Sequence, residues 1–178
     1  MKKALFLVMA VFAMATVCDA QKVTLKTNAP IWALGGANLG AEFAIAPKWT
    51  LGVEGAATVF NPYDSYEAHG WMATGEVRYY TCKAFNGHHL GLYGNYGHFS
   101  ELTVSDGLLS KFGCGGQTTF SADKVNITSV GLSYGYYFKL GTHWSIDTTI
   151  GAGMNYAGDR SDWAFGLGRV QVALGYRF

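Results

Sequence analysis

Between Thr81 and Ser100 the chain reads TCKAFNGHHLGLYGNYGHFS, and Cys82, His88, His89, His98 and Ser100 are the side chains there that could do chemistry. Cys82, His88 and His89 offer a thiolate and two imidazoles, donors that suit zinc. A closed zinc site takes four such ligands, and the chain supplies neither a fourth nor a second cluster at zinc spacing. These residues therefore imply no metal and no cofactor. His98 and Ser100 place a base beside a hydroxyl, the start of an activated nucleophile that a third group must orient. Glu67 and Asp123 are the carboxylates available for that role. The alternative for all five is structural: a turn, then a strand with a histidine and a serine near its end.

The surrounding elements decide between these readings. Residues 1–20, MKKALFLVMAVFAMATVCDA, carry Lys2 and Lys3, an apolar run from Ala4 to about Thr16, and a small-residue exit at Ala20. That is the layout of a cleaved secretory signal, and the run is short of the ~20 residues a spanning helix needs. Lipid attachment at Cys18 is the second possibility, disfavoured by the bulky Val17 before it. The remainder, 21–178, is one domain by length. The chain has 13 Lys+Arg and 12 Asp+Glu, and without Lys2, Lys3 and Asp19 it keeps 11 of each. Such a balance points away from nucleic acid as a partner. Charged residues are 14% of the chain, against about 25% in soluble domains, while Gly numbers 24 and Tyr and Phe 11 each. An exported, aromatic-rich and glycine-rich chain without a spanning helix predicts an all-β transmembrane barrel.

A barrel strand alternates apolar residues facing lipid with small or polar residues facing inward over about 9–11 positions. Eight segments do so, at 22–32, 38–46, 49–59, 70–80, 89–99, 126–138, 143–156 and 165–178. The seventh is the clearest, with Trp144, Ile146, Thr148, Ile150, Ala152 and Met154 set against Ser145, Asp147, Thr149, Gly151 and Gly153. Three connections, about 46–48, 81–88 and 139–142, read as periplasmic turns. Four others, about 33–37, 60–69, 100–125 and 157–164, read as outer loops, and both termini then lie in the periplasm. Two aromatic girdles follow, with Trp49, Tyr79, Trp144, Tyr176 and Phe178 at the periplasmic rim and Trp32, Trp71, Tyr156 and Trp163 at the outer rim. Phe85 and Phe138 also fall at the periplasmic end. A soluble lipocalin-like barrel alternates as well, but turns its apolar side inward.

By parity Lys26, Arg78, Arg169 and Arg177 point into the barrel, as do Glu42, Glu54, Glu76 and Asp147. Charges enclosed together should pair, since an unpaired buried charge is costly. Eight strands leave room only for side chains to fill. The expectation is a closed eight-stranded antiparallel transmembrane barrel with a filled polar interior. Residues 81–88 become a turn, with Asn86-Gly87 supplying its positive φ angles. Cys82 and Cys114 then lie at opposite ends, separated by about 30 Å of hydrocarbon, too far for a disulfide.

Several pieces of the chain resemble an uncharacterised family of Bacteroidetes outer-membrane β-barrels classed as a domain of unknown function. They are Lys26-Thr27-Asn28, Asn38-Leu39-Gly40 with Glu42, Pro47-Lys48-Trp49-Thr50-Leu51, and Glu76-x-Arg78-Tyr79. The resemblance continues in Cys82-x-Ala84-Phe85-Asn86-Gly87-His88, Gly131-x-Ser133-Tyr134-Gly135-Tyr136, and Trp144-Ser145-Ile146-x-x-Thr149-Ile150-Gly151. It implies an outer-membrane barrel, sometimes linked with surface fimbriae, and no known activity. The His98-Phe99-Ser100 pair, outside those pieces, resembles instead the lipid A deacylases, small barrels that use Ser, His and a carboxylate on their outer rim.

The resulting expectation is a non-enzymatic outer-membrane barrel, embedded among lipid and lipopolysaccharide, that binds, assembles or braces at the surface. Loop 100–125 is the place for a surface or fimbrial protein partner, since loops on a rigid scaffold carry most contacts. Its alternative is a plain loop or a short extension of the strands it joins. The alternative function is a lipid A-modifying hydrolase using His98 and Ser100.

Overall fold

The computed structural model describes residues 23–60, 66–104, 120–122, 124–158 and 163–178. The expected signal at 1–20 with Cys18, loop residues 105–119 with Cys114, and Asp123 lie outside the described residues. The elements are β1 (Val23–Asn28), α1 (Ala29–Ala33), β2 (Gly36–Ala46), β3 (Trp49–Thr58), β4 (Tyr66–Tyr80) and β5 (Gly87–Val104). They continue with β6 (Phe120–Ala122), β7 (Val125–Leu140), β8 (Trp144–Ala157) and β9 (Ala164–Arg177). Strands pair antiparallel in the order β4-β3-β2-β1-β9-β8-β7-β5, and a β4–β5 ladder joins the two ends of that row. Eight strands thus form a closed barrel with no edge to pair elsewhere.

Three short turns at one end alternate with longer connections at the other. Two boundaries differ from the sequence expectation. The first strand stops at Asn28 instead of running to 32, because Pro30 has no N–H to give a ladder and sits in the first turn of α1. The 100–125 connection is shorter than expected. β5 runs on to Val104, where Leu102, Thr103 and Val104 pair with Ala122, Ser121 and Phe120 of β6, so the β4–β5–β6 wall rises above the rest of the barrel.

Alternation sorts the side chains onto two faces. Thr24, Lys26, Glu42, Thr50, Glu76, Arg78, His89, Ser133, Asp147 and Gln171 are buried inside, while Leu39, Val53, Leu92, Leu132, Ile150 and Val172 of the same strands are exposed outside. A lipocalin-like barrel would show the reverse. Register makes the interior fit. Glu76 stands across from Tyr93, and glycines occupy the neighbouring inward positions. A Cβ on Gly91 would come 2.5 Å from the Glu76 carboxylate, and one on Gly151 would come 2.7 Å from the Tyr93 ring. The large inward side chains fit because their cross-strand neighbours have none.

The turn end is sealed. Tyr80, Phe85 and Tyr137 are buried together, with the Phe85 ring centre 6.2 Å from that of Tyr80 and 5.8 Å from that of Tyr137. The 81–86 turn folds under the barrel, where the Ala84 amide donates to the Pro47 carbonyl. To reach this position Phe85 adopts φ 60°, a left-handed conformation that costs about 1–2 kcal/mol outside glycine. Here expectation and structure part. Gly87 has the expected positive φ, but the other belongs to Phe85 rather than Asn86, and Phe85 plugs the barrel instead of joining the aromatic girdle at that end.

Candidate functional site

The densest constellation of functional groups lies inside the barrel. Lys26 of β1 pairs with Glu42 of β2 and, at 2.5 Å, with Asp147 of β8. Arg78 of β4 reaches Asp147 at 2.5 Å, Glu76 at 2.7 Å and Glu42 at 3.1 Å. Arg169 of β9 lies 3.2 Å from Glu76, an ion-pair distance without hydrogen-bond alignment, and 3.5 Å from Glu54. Neutral donors complete the carboxylates: Tyr80 and Thr50 donate to Glu42 at 2.8 and 2.5 Å, and Ser133 donates to Glu76. Arg177 also faces inward, but its guanidinium donates to the Thr142 carbonyl at 2.6 Å at the turn end rather than to a carboxylate.

The opening constellation disperses. Cys82 is exposed in the turn, and His88 faces outward with Nδ1 2.6 Å from the Tyr134 hydroxyl. His89 faces inward, fully buried, with Nε2 3.0 Å from Asp147. Sequence reasoning opened the fifth strand at His89 but missed it as a member of the interior network. The signal was there, since Leu90 and Leu92 outward put His89, Gly91 and Tyr93 inward. Tyr80 and Tyr137 were missed for the same reason, as aromatic residues on the polar parity.

His98 and Ser100 do not join. His98 is outward, opposite Trp71, and its Nδ1 lies 2.7 Å from the Asn126 side-chain oxygen. A bulge leaves Ser100 unpaired between Phe99 and Glu101, and its hydroxyl donates to the His69 carbonyl at 3.1 Å. Simple alternation would put both side chains on the lipid-facing side, and the bulge interrupts that alternation between them. The Glu67 side chain lies outside the described residues.

The aromatic residues cluster at both rims. At the turn end Trp49 packs on Tyr79 at 5.1 Å, and Tyr176 packs on Trp144 at 5.2 Å and on Phe178 at 5.1 Å. At the other end Trp71 meets Tyr96 at 5.7 Å and Tyr156 meets Trp163 at 5.4 Å, while exposed Trp32 donates to Thr27. Between the rims the interior void beside Lys26, Glu42, Glu76 and Arg78 measures about 20 Å³, room for about one water.

The family model described as protein of unknown function (DUF3575) matches residues 5–165. No curated protein matches the chain. Among solved structures, the N-terminal β-barrel domain of Pseudomonas aeruginosa OprF aligns with a TM-score of 0.46 at 12% identity, covering 90% of this chain and 100% of that domain.

Proposed function

The chain belongs to the DUF3575 family of proteins of unknown function, and from that premise we propose that it is an integral outer-membrane barrel with a non-enzymatic surface role. The observation that carries this is the inverted polarity of the wall. Charged and hydroxyl side chains fill the inside, while Leu, Val, Ile and aromatic residues stand exposed around the outside. Water would disfavour that arrangement, and hydrocarbon bounded by two aromatic rims favours it. The short-turn end is the periplasmic one, which leaves both termini there and sends the 100–125 connection to the cell surface.

The non-enzymatic reading is supported by the commitments of the reactive groups. Ser100 and His98 are bonded to the His69 carbonyl and to Asn126 rather than to each other. The interior carboxylates are paired and enclosed. Among the described residues, the raised β5–β6 pairing offers a contact surface that suits a binding, assembly or bracing role. Fimbrial subunits are the first partners to check, given the Bacteroidetes resemblance.

The test is crosslinking and co-purification from intact outer membranes, comparing wild type with a 102–122 deletion that keeps heat-modifiable gel mobility. A partner lost with the deletion supports an assembly or adhesion role. A change in lipid A structure in a His98→Ala or Ser100→Ala strain would replace this reading with the hydrolase.

A further inference from the structure

Three exposed lysines stand at the turn end: Lys48 in the β2–β3 turn, Lys83 within 81–86, and Lys139 at the last but one position of β7. Two of them adjoin an exposed aromatic residue. Lys48 adjoins Trp49 and lies 5.9 Å over the Tyr79 ring, and Lys139 follows Phe138. Lys139 stands within electrostatic reach of Lys83 and Arg177, like charges that repel it. The four carboxylates whose side chains are described, Glu42, Glu54, Glu76 and Asp147, are all spent inside the barrel. Among the described side chains, then, none that is acidic offsets the lysines at this end.

We propose that Lys48, Lys83 and Lys139 form a collar that binds the phosphate headgroups of anionic phospholipid in the leaflet at the turn end. The inference rests on the membrane reading above and adds a lipid class to it. Its physical basis is height. Aromatic rims settle at the headgroup boundary, so ammonium groups one to four residues beyond them lie where phosphates are. The three turns spread the lysines around the barrel, so the collar takes several headgroups of the surrounding shell rather than one. Each lysine near an anionic surface is worth about fivefold in affinity, and salt screens the attraction.

Native mass spectrometry of the full chain in detergent micelles, with equal amounts of phosphatidylglycerol and phosphatidylcholine of the same acyl chains, reads the preference directly. Wild type should retain phosphatidylglycerol several-fold over phosphatidylcholine. A Lys48→Gln, Lys83→Gln, Lys139→Gln triple variant should bring the ratio close to one. Lys124→Gln, at the opposite end, should leave the wild-type ratio in place. Heat-modifiable mobility confirms that each variant is folded.

An even ratio in wild type, as an acidic protein partner for the collar would give, overturns the inference. So does a triple variant that keeps the preference. Vesicle partitioning of the same wild-type sample separates the two levels. A barrel that inserts without lipid preference removes the collar alone, whereas one that fails to enter vesicles removes the membrane reading and the collar with it.

Discussion

Replacing Glu76 separates two accounts of the barrel interior. By formal count the interior network holds Lys26, Arg78 and Arg169 against Glu42, Glu54, Glu76 and Asp147, one more carboxylate than fixed cations. If net charge alone mattered, Glu76→Ala would be neutral or helpful. Geometry argues the opposite. Arg78 loses a partner at 2.7 Å, Arg169 loses its nearer carboxylate at 3.2 Å and keeps Glu54 at 3.5 Å, and the Ser133 hydroxyl loses its acceptor. Breaking a buried pair from one side costs about 3–5 kcal/mol. Glu76→Gln keeps the shape and one acceptor oxygen, so it should lose only the charge-assisted part, about 1.5–3 kcal/mol. With an m-value of about 2 kcal/mol per molar urea, the Ala midpoint should fall by about 2 M and the Gln midpoint by about 1 M. Urea titration in lipid vesicles, with the folded fraction read from unheated gel mobility, measures both. An Ala midpoint at or above wild type would refute the pairing argument. A Gln midpoint equal to wild type would show that shape, not charge, holds the network.

Phe85→Ala should lower the same midpoint by an amount equivalent to about 3–5 kcal/mol, the cost of emptying a buried aromatic site. Phe85→Gly should unfold at higher urea than the Ala variant, because glycine relieves the φ 60° backbone; the reverse order would mean the turn is unstrained. Gly135→Ala should prevent refolding into vesicles, since its methyl would meet the Thr148 carbonyl and stand 2.5 Å from the His89 ring. Normal refolding yield for that variant would show that the β7–β8 wall yields. In planar bilayers the wild-type barrel should show no steady conductance, because the void beside the charge network is about 20 Å³; regular unitary steps would contradict a filled interior.

The chain order of strands, their inward and outward parities, and the division into short turns and longer connections were all legible in the sequence. Each is a local property: a two-residue period, a Gly or Asn at a reversal, an aromatic residue near a strand end. Parity alone put Glu42, Glu76, Arg78 and Asp147 on one face. It could not say which of them touch, because contact across the lumen depends on how the strands stagger as the sheet closes. That stagger brings Asp147 to Lys26, 121 positions away in the chain, and leaves Arg177 at the rim with a backbone carbonyl. The Ser100 bulge likewise shifts the faces within a single strand, so spacing from His98 could not predict a catalytic pair. The turn at 81–86 was recognisable as a turn, but its job was not. Phe85 becomes a plug only when Tyr80 and Tyr137, from the two strands that flank β5, offer it an apolar site worth more than the strain of reaching it.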